Sequence, residues 1–371
     1  MNDTSTMILI GVGTAGTAIA RGVGRAFGGS LRSLLVDTDA ASGQPGEPFL
    51  LLGGERLAGR GSGGDLVAAR VAAEESIASL DGHLEGIRLA VVVTALGGGT
   101  GGGASFEILR HLEALGIPSI IFATTPFACE GEDRLRNARG ILSMISDAAG
   151  ASFFLPLDML LAGEDNLAEG LKRAIGTVAS GVTLFWRLVG KPGYIRLDPE
   201  RIRRLVNGSG RGRFSAVTVQ GPNRAAEAVE KLVKTELLTA GTAEVKSILC
   251  GVLAGDDLRL SELTTISNGL RNAFGSNAGF ELATVNDEDT FSGRLSIVTM
   301  LFERNPGELV RETAKSRPAG SSRRQRGKNA GQPLQNGPQG KGRFSNSTPT
   351  LWHGEDIDIP TYLRENLSLD R

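Results

Sequence analysis

The stretch Ala95-Leu96-Gly97-Gly98-Gly99-Thr100-Gly101-Gly102-Gly103-Ala104-Ser105 constrains this chain more than any other. Six glycines and one threonine stand between an apolar run, Leu89 to Ala95, and a helix-patterned segment, Phe106 to Leu115. A backbone without Cβ atoms can turn with positive φ and approach a ligand closely. A helix starting just after such a turn presents unpaired N–H groups and the positive end of its dipole, a cradle for phosphate. A flexible linker has a similar composition, but linkers seldom separate a buried strand from an amphipathic helix.

Two further glycine-rich turns come earlier. Met7 to Val12 reads as a buried strand, followed by Gly11-Val12-Gly13-Thr14-Ala15-Gly16 and a helical pattern through Ala26. Leu34 to Val36 reads as the next strand and closes on Asp37-Thr38-Asp39, the acid of a dinucleotide-type βαβ opening. Gly59-Arg60-Gly61-Ser62-Gly63-Gly64 precedes a helix predicted from Asp65, a candidate N-cap, to Leu80. Ser119 to Thr124 reads as a strand, and Glu132 to Ala148 as a helix. Strands alternating with helices at this spacing predict a parallel sheet covered on both faces. All three glycine-rich turns then converge at the carboxyl ends of the strands, where such sheets bind ligands. Glu130 and Arg134, four apart, have the spacing of a surface ion pair; the functional alternative has them facing a nucleotide sugar.

Leu167, Leu171, Ala174, Ile175, Val178, Val182, Phe185 and Val189 recur at three and four, which predicts a long helix ending at Gly190-Lys191-Pro192-Gly193. Asp198 before Pro199 is the pattern of an N-cap with proline at the first helical position. Strands are predicted at Phe214 to Gln220, Lys246 to Ala254, Phe280 to Val285 and Leu295 to Phe302, with helices near Arg224 to Leu237 and Leu260 to Phe274. This makes a second α/β domain without a glycine-rich turn of its own. From Pro306 to Pro349 the chain is basic and rich in Gly, Pro, Ser, Gln and Asn, too poor in large apolar residues to offset chain entropy. It reads as a solvated tether, with contact to anionic lipid or nucleic acid by charge alone as the alternative. The expected layout is a Rossmann-like parallel-sheet nucleotide domain (1–166), a central helix (167–190), a C-terminal α/β domain (191–304), a disordered basic linker (305–350) and a docking peptide (351–371).

A net charge of −1 gives no whole-chain reason to expect nucleic acid or a membrane surface. Cys129 and Cys250 are too few for a disulfide framework or a metal cluster, and His83, His111 and His353 are scattered, so neither a zinc site nor a histidine-based triad is expected. No apolar run reaches the ~18 residues of a membrane span, and the N-terminus lacks a signal peptide's charged start and cleavage site. A soluble, cytoplasmic protein is expected.

Gly97 to Gly103 resembles the tubulin signature loop, and its continuation through Thr125-Pro126-Phe127 to Glu130-Gly131 is similar to that of the bacterial cell-division tubulins, the FtsZ family. The likeness runs from about Ile8 to Glu303, includes Val36-Asp37-Thr38-Asp39-Ala40 and Gly251 to Leu260, and resumes in Asp358-Ile359-Pro360-Thr361-Tyr362-Leu363-Arg364, which is similar to that family's docking peptide. The resemblance implies a two-domain tubulin/FtsZ-like α/β fold and a GTP-binding protein that polymerises head to tail into division-ring filaments. Gly11, Gly13, Thr14, Ala15, Gly16 and Thr17 would embrace the phosphates of GTP or GDP from the first turn, and Gly98, Gly99, Thr100 and Gly101 from the third. Magnesium would accompany the phosphates, with no separate protein metal site. The resemblance makes Glu130 and Arg134 a ribose-side pair. Hydrolysis would be completed by the loop after the central helix of the next subunit, whose first acid is matched by Asp198 and whose second has Glu200, one place away, as its substitute. A membrane-tethering division protein would take the tail through Ile357, Ile359, Pro360, Tyr362 and Leu363.

The chain also departs from that pattern. Thr14-Ala15-Gly16-Thr17 stands where the family is richer in glycine, and Leu157 stands at an expected asparagine. Without gaps, the aromatic and aspartate expected at guanine fall on Leu171 and Gly176. In the catalytic loop Arg196 replaces an asparagine and Arg201 falls on the second aspartate. These changes predict poor discrimination of guanine and weak hydrolysis. A non-hydrolysing paralogue with a structural or regulatory role is the alternative, with Asp198 a helix cap and Glu200 a surface charge. A Rossmann oxidoreductase would carry one phosphate turn and a catalytic residue in the second domain, and neither fits.

Overall fold

The computed structural model describes residues 4–28, 30–160, 166–191, 193–207, 210–241 and 243–303, together with 351–352 and 355–356. The linker expected at 305–350 and the tail residues 357–364 lie outside the described residues. Residues 1–316 form one unit. In the other, 317–371, the described residues are one antiparallel pair, Leu351 opposite Asp356 and Trp352 opposite Glu355.

Every residue of β1 (Met7–Val12) is buried, the pattern of a strand covered on both faces. Around it a ten-stranded sheet takes the order β3-β2-β1-β4-β5-β6-β7-β10-β8-β9. The other strands are β2 (Ser33–Asp37), β3 (Phe49–Leu51), β4 (Leu89–Ala95), β5 (Ser119–Thr125), β6 (Ala151–Pro156), β7 (Gly210–Gln220), β8 (Val245–Ala254), β9 (Gly279–Asn286) and β10 (Arg294–Glu303). Pairing is parallel from β3 through to β7. β10 runs antiparallel between β7 and β8, and β9 is parallel to β8. The helices of eight residues or more are α1 (Gly13–Arg25), α2 (Leu66–Ser76), α3 (Gly99–Ala114), α4 (Glu132–Ala148), α5 (Leu167–Gly190), α6 (Pro199–Val206), α7 (Arg224–Lys234) and α8 (Leu260–Phe274).

Two strands escape the sequence pattern. β3 is a three-residue run, and only Ala149 and Gly150 separate β6 from the end of α4. α3 differs more: it starts at Gly99, inside the glycine run rather than after it. Only Gly97 of that run takes positive φ, +103°. The glycines that follow are helical and serve close packing. A Cβ on Gly101 would overlap the Ala95 carbonyl oxygen, and one on Gly103 would overlap that of Leu66.

β6 meets β7 over a short register, Ala151 to Phe153 against Gly210 to Gly212, and this joins the two halves of the sheet. An aromatic cluster lines the join. Phe122 stacks on Phe153 at 5.3 Å between ring centroids and meets Phe214 edge-on at 4.8 Å. α5 lies over this cluster, burying Phe185 and Trp186 in the same core. Among the described residues no helix is long and apolar enough to cross a membrane.

Candidate nucleotide site

At the carboxyl ends of β1, β2 and β4 the three glycine-rich turns line one cavity of about 1130 Å³. Gly13, Thr14 and Ala15 come from the first turn, Arg60 to Asp65 from the second, and Gly97 to Gly101 from the third. Four helices start at its wall, α1 at Gly13, α3 at Gly99, α2 just after Asp65 and α4 just before Asp133. The first N–H groups of any helix lack intrahelical acceptors, and the dipole adds about half a positive charge there. Neither α1 nor α3 has a capping side chain or an acid in its first turn. The other six long helices each carry one or the other. Asp65 caps α2, Asn166 caps α5 and Asp198 caps α6, while α4, α7 and α8 place acids in the first turn. The two long-helix starts with neither a cap nor an acid, α1 and α3, both open on the cavity.

Buried hydroxyls hold these ends in place. The hydroxyl oxygens of Thr38 and Thr100 lie 2.6 Å apart, tying the end of β2 to the start of α3. Thr94 donates to the carbonyls of Val12 and Gly101, both at 3.0 Å, and so links β4 to the first and third turns. The Asp37 carboxylate accepts from Ser42 at 2.6 Å, Thr14 at 3.2 Å and the Thr38 N–H at 2.7 Å. Arg21 of α1 grips Glu47 and donates to the Ser42 carbonyl at 2.5 Å. Its hydrogen bonds hold the Glu47 carboxyl below the usual carboxylate range.

The sequence-predicted residues fall into three groups. Gly13, Thr14, Ala15, Gly98, Gly99, Thr100, Gly101, Glu130 and Arg134 line the cavity. Gly11, Gly16 and Thr17 lie beneath it. A Cβ on Gly11 would come within 2.7 Å of the Ala20 Cβ, and one on Gly16 would overlap the Val93 carbonyl, so both let α1 press onto β1 and β4. Thr17 is buried and donates to the Thr14 carbonyl at 2.8 Å. Asp198 and Glu200 are not in the wall of this cavity. Asp198 accepts from the Glu200 N–H at 2.8 Å as the cap of α6, and Glu200 is exposed.

Glu130 accepts from Arg134 at 2.6 Å and from the Phe127 N–H at 3.2 Å, so the pair fixes the entry to α4 at the cavity edge. One turn on, Asn137 donates to the carbonyls of Gly64 at 3.1 Å and Gly97 at 3.4 Å, bridging the second and third turns. Sequence reasoning missed Asn137, although its spacing from Arg134 puts both on one helix face. The far wall is apolar: Phe127, Leu157, Leu171, Ala174 and Ile175. Gly176 faces elsewhere, onto a separate cleft with Ala18, Gly22 and Lys172. Among the described residues no group of three or more His, Cys, Asp or Glu side chains could hold a metal ion.

Residues 6–163 match the family described as Tubulin/FtsZ family, GTPase domain. Cell division protein FtsZ of Pseudomonas aeruginosa is 27% identical over 293 residues, 77% of this chain and 74% of that protein. Cell division protein FtsZ of Methanothermobacter thermautotrophicus is 29% identical over 274 residues, 71% of each. In fold, the FtsZ dimer of M. jannaschii superposes with a TM-score of 0.73 at 21% identity, covering 80% of this chain and 87% of that one. CetZ2 from Haloferax volcanii, solved as a GTPγS-bound protofilament, gives 0.69 at 20% identity over 84% of this chain and 97% of that one. Residues 6–163 thus match the tubulin/FtsZ GTPase domain, and the chain as a whole is similar in sequence to FtsZ proteins and shares their fold.

Proposed function

We propose that this protein binds GTP or GDP in the cavity at the strand ends and assembles head to tail into cell-division filaments. The observation that carries this reading is the pair of acid-free, uncapped N-termini of α1 and α3 opening on one cavity. Backbone N–H groups from Gly13 to Ala15 and from Gly99 to Gly101 would hold the phosphates. Gly11, Gly16 and Thr17 would support them from below, and Glu130 with Arg134 would flank the ribose. The apolar wall of Phe127, Leu157, Leu171, Ala174 and Ile175 would take the base by contact, a mode that selects weakly among purines. Magnesium would rest on the phosphates and water more than on protein side chains.

Self-association is supported by the protofilament and dimer seen in fold neighbours. In the cytoplasm at the division site, the tail around Ile359 and Tyr362 would dock on a membrane-tethering division protein. Filament mass pelleted with GTP, ATP or no nucleotide, with the bound nucleotide identified by chromatography, tests the reading. Guanine nucleotide retained in the pellet is the expected result; assembly indifferent to nucleotide, with none retained, would overturn it.

A second reading, a filament component that does not hydrolyse, is favoured by α6. Arg201 there is ion-paired with Glu281 of β9, and the Asp198 carboxylate is already engaged as a cap. Phosphate release separates the two. Turnover that is slow but abolished by Asp198→Asn makes Asp198 and Glu200 catalytic acids. Undetectable turnover, or turnover that survives the change, leaves them structural.

A further inference from the structure

A second cleft, of about 640 Å³, opens between α1, α5 and the strands β7 and β10. Its charge is the reverse of the first cavity's. Five carboxylates and two arginines line the nucleotide cavity, whereas Arg25, Lys172, Arg187 and Arg294 line the cleft with no carboxylate among them. Arg187 is answered by Asp287 at 3.2 Å. Arg25 donates to the Arg21 carbonyl at 3.4 Å, and none of Arg25, Lys172 and Arg294 is ion-paired with a described residue. Like charges held together without a counter-ion repel, and a concave wall focuses their field on whatever enters.

The cleft has two unlike ends. Arg187 donates to the Ala26 carbonyl at 3.4 Å and to the Thr290 hydroxyl at 3.2 Å, which draws the end of α1 and the approach to β10 to one end of α5. Arg25 and Arg294 share that end with Arg187. Lys172 lies about four turns earlier on α5, roughly 22 Å away at 1.5 Å per residue. Between the two ends Ile175, Ala179 and Leu184 give the cleft an apolar strip. The Ser180 hydroxyl beside it makes no hydrogen bond to a described residue. The walls are fixed. A Cβ on Gly22 of α1 would come within 3.0 Å of the Ala179 Cβ, and Gly181 packs α5 onto the Phe214 ring. On the strand side the hydroxyl oxygens of Thr218 and Ser296 lie 2.8 Å apart and satisfy each other. Gly176, by contrast, leaves open space, with nothing within 4 Å of where its Cβ would be. None of the large apolar side chains exposed on the described surface lines the cleft, so it lacks the rim that a membrane or a protein partner would cover.

We propose that this cleft binds a soluble organic phosphate, its phosphate held between Arg25 and Arg294 and its apolar or aromatic body laid along Ile175, Ala179 and Leu184. A planar guanidinium meets phosphate oxygens two at a time, and two of them from different elements neutralise a dianion from both sides. Arg187, engaged by Asp287, shapes the wall. Ser180 supplies a polar contact along the strip. A pocket of this size, mostly apolar with a few convergent polar groups, suits a small molecule. The cleft is separate from the nucleotide cavity, although Ile175 lines both, and its ligand is independent of what that cavity holds. A phosphatidic acid headgroup carries the same phosphate chemistry, so the experiment separates the two sources.

The test titrates the full chain with 1-naphthyl phosphate, a phosphate monoester on an aromatic body, with and without excess GTP, and reads binding by equilibrium dialysis. One probe per chain is expected, with the same affinity in both conditions. Arg25→Gln and Arg294→Gln should each weaken it at least fivefold, whereas Lys172→Gln should change it less than twofold. Gly176→Phe fills the open space beside the apolar strip and leaves every charge in place. It should melt no lower than the parent and lose the probe. Arg139→Gln, at an exposed arginine of α4 outside the cleft, is the control and should bind as the parent does. Probe displaced by GTP, or binding that survives Arg25→Gln, Arg294→Gln or Gly176→Phe, overturns the inference. So does a parent that ignores the naphthyl phosphate and pellets with phosphatidic acid vesicles through the same arginines. A chain that takes the probe as expected but binds no GTP tells against the nucleotide reading alone.

Discussion

Ala15 sits half-buried in the first turn of α1, at the cavity wall, with no acid near the helix start. On an ordinary helix, glutamate there would be a gain of about 0.3–1 kcal/mol from the dipole. If the turn is reserved for phosphate, the same carboxylate competes with the ligand. Ala15→Glu is therefore expected to melt at or slightly above the parent, by about 1–4 °C, yet bind nucleotide at least tenfold more weakly. Scanning calorimetry without ligand, beside a nucleotide titration, reads the two effects separately; a variant with unchanged affinity would remove α1 from the proposed site. The glycine turns around this residue were legible in the sequence because their composition has few uses between a strand and a helix. Asn137 was not, since it reaches the cavity only through the fold: it bridges two carbonyls that lie far from it in sequence.

At the scale of elements, α5 contains two glycines that look alike in sequence and differ in space. Gly176 is exposed and nothing lies within 4 Å of where its Cβ would be. Gly181 is buried, and a Cβ there would come within 2.7 Å of the Phe214 ring. Gly176→Ala should stabilise by about 0.5–1 kcal/mol through helix propensity alone. Gly181→Ala gains the same propensity but crowds the aromatic cluster, and overpacking costs about 1–3 kcal/mol. Urea unfolding of the pair should move the midpoint up for the first and down for the second; movement in the same direction would mean that Phe214 yields freely. The same contrast explains what the sequence could tell about elements. α4 and α8 were read end to end because periodicity and first-turn acids agree. The start of α3 was misread because glycine runs break isolated helices, whereas here the neighbouring backbone of β4 and α2 leaves room for nothing larger.

Across the whole molecule, Arg187 near the end of α5 gathers distant parts of the chain. It pairs with Asp287 at 3.2 Å, donates to the Ala26 carbonyl beyond α1 at 3.4 Å, and stacks over Phe27 and Phe291. Burial alone would raise the Asp287 carboxyl. Hydrogen bonds from Lys191 and Thr290, with the charge of Lys191, outweigh it and hold the group below its ordinary value. A depressed carboxyl stabilises the fold above its unfolded pKa, and that contribution is lost as pH falls through the folded value. Asp287→Asn should therefore cost about 1.5–3 kcal/mol at pH 7, with the gap to the parent closing below about pH 4. Unfolding curves at both pH values check the sign; a constant gap would mean that the asparagine fails for reasons of shape. The sheet carries a different consequence. β10 registers against β7 from Arg294 to Phe302, while β6 meets β7 only from Ala151 to Phe153. Under tension, a sheet parts first along its shortest ladder. The β6–β7 ladder is as short as the β2–β3 ladder near the sheet edge and shorter than the others, so between the two halves of the sheet backbone pairing contributes least and the packing of Phe122, Phe153 and Phe214 contributes most.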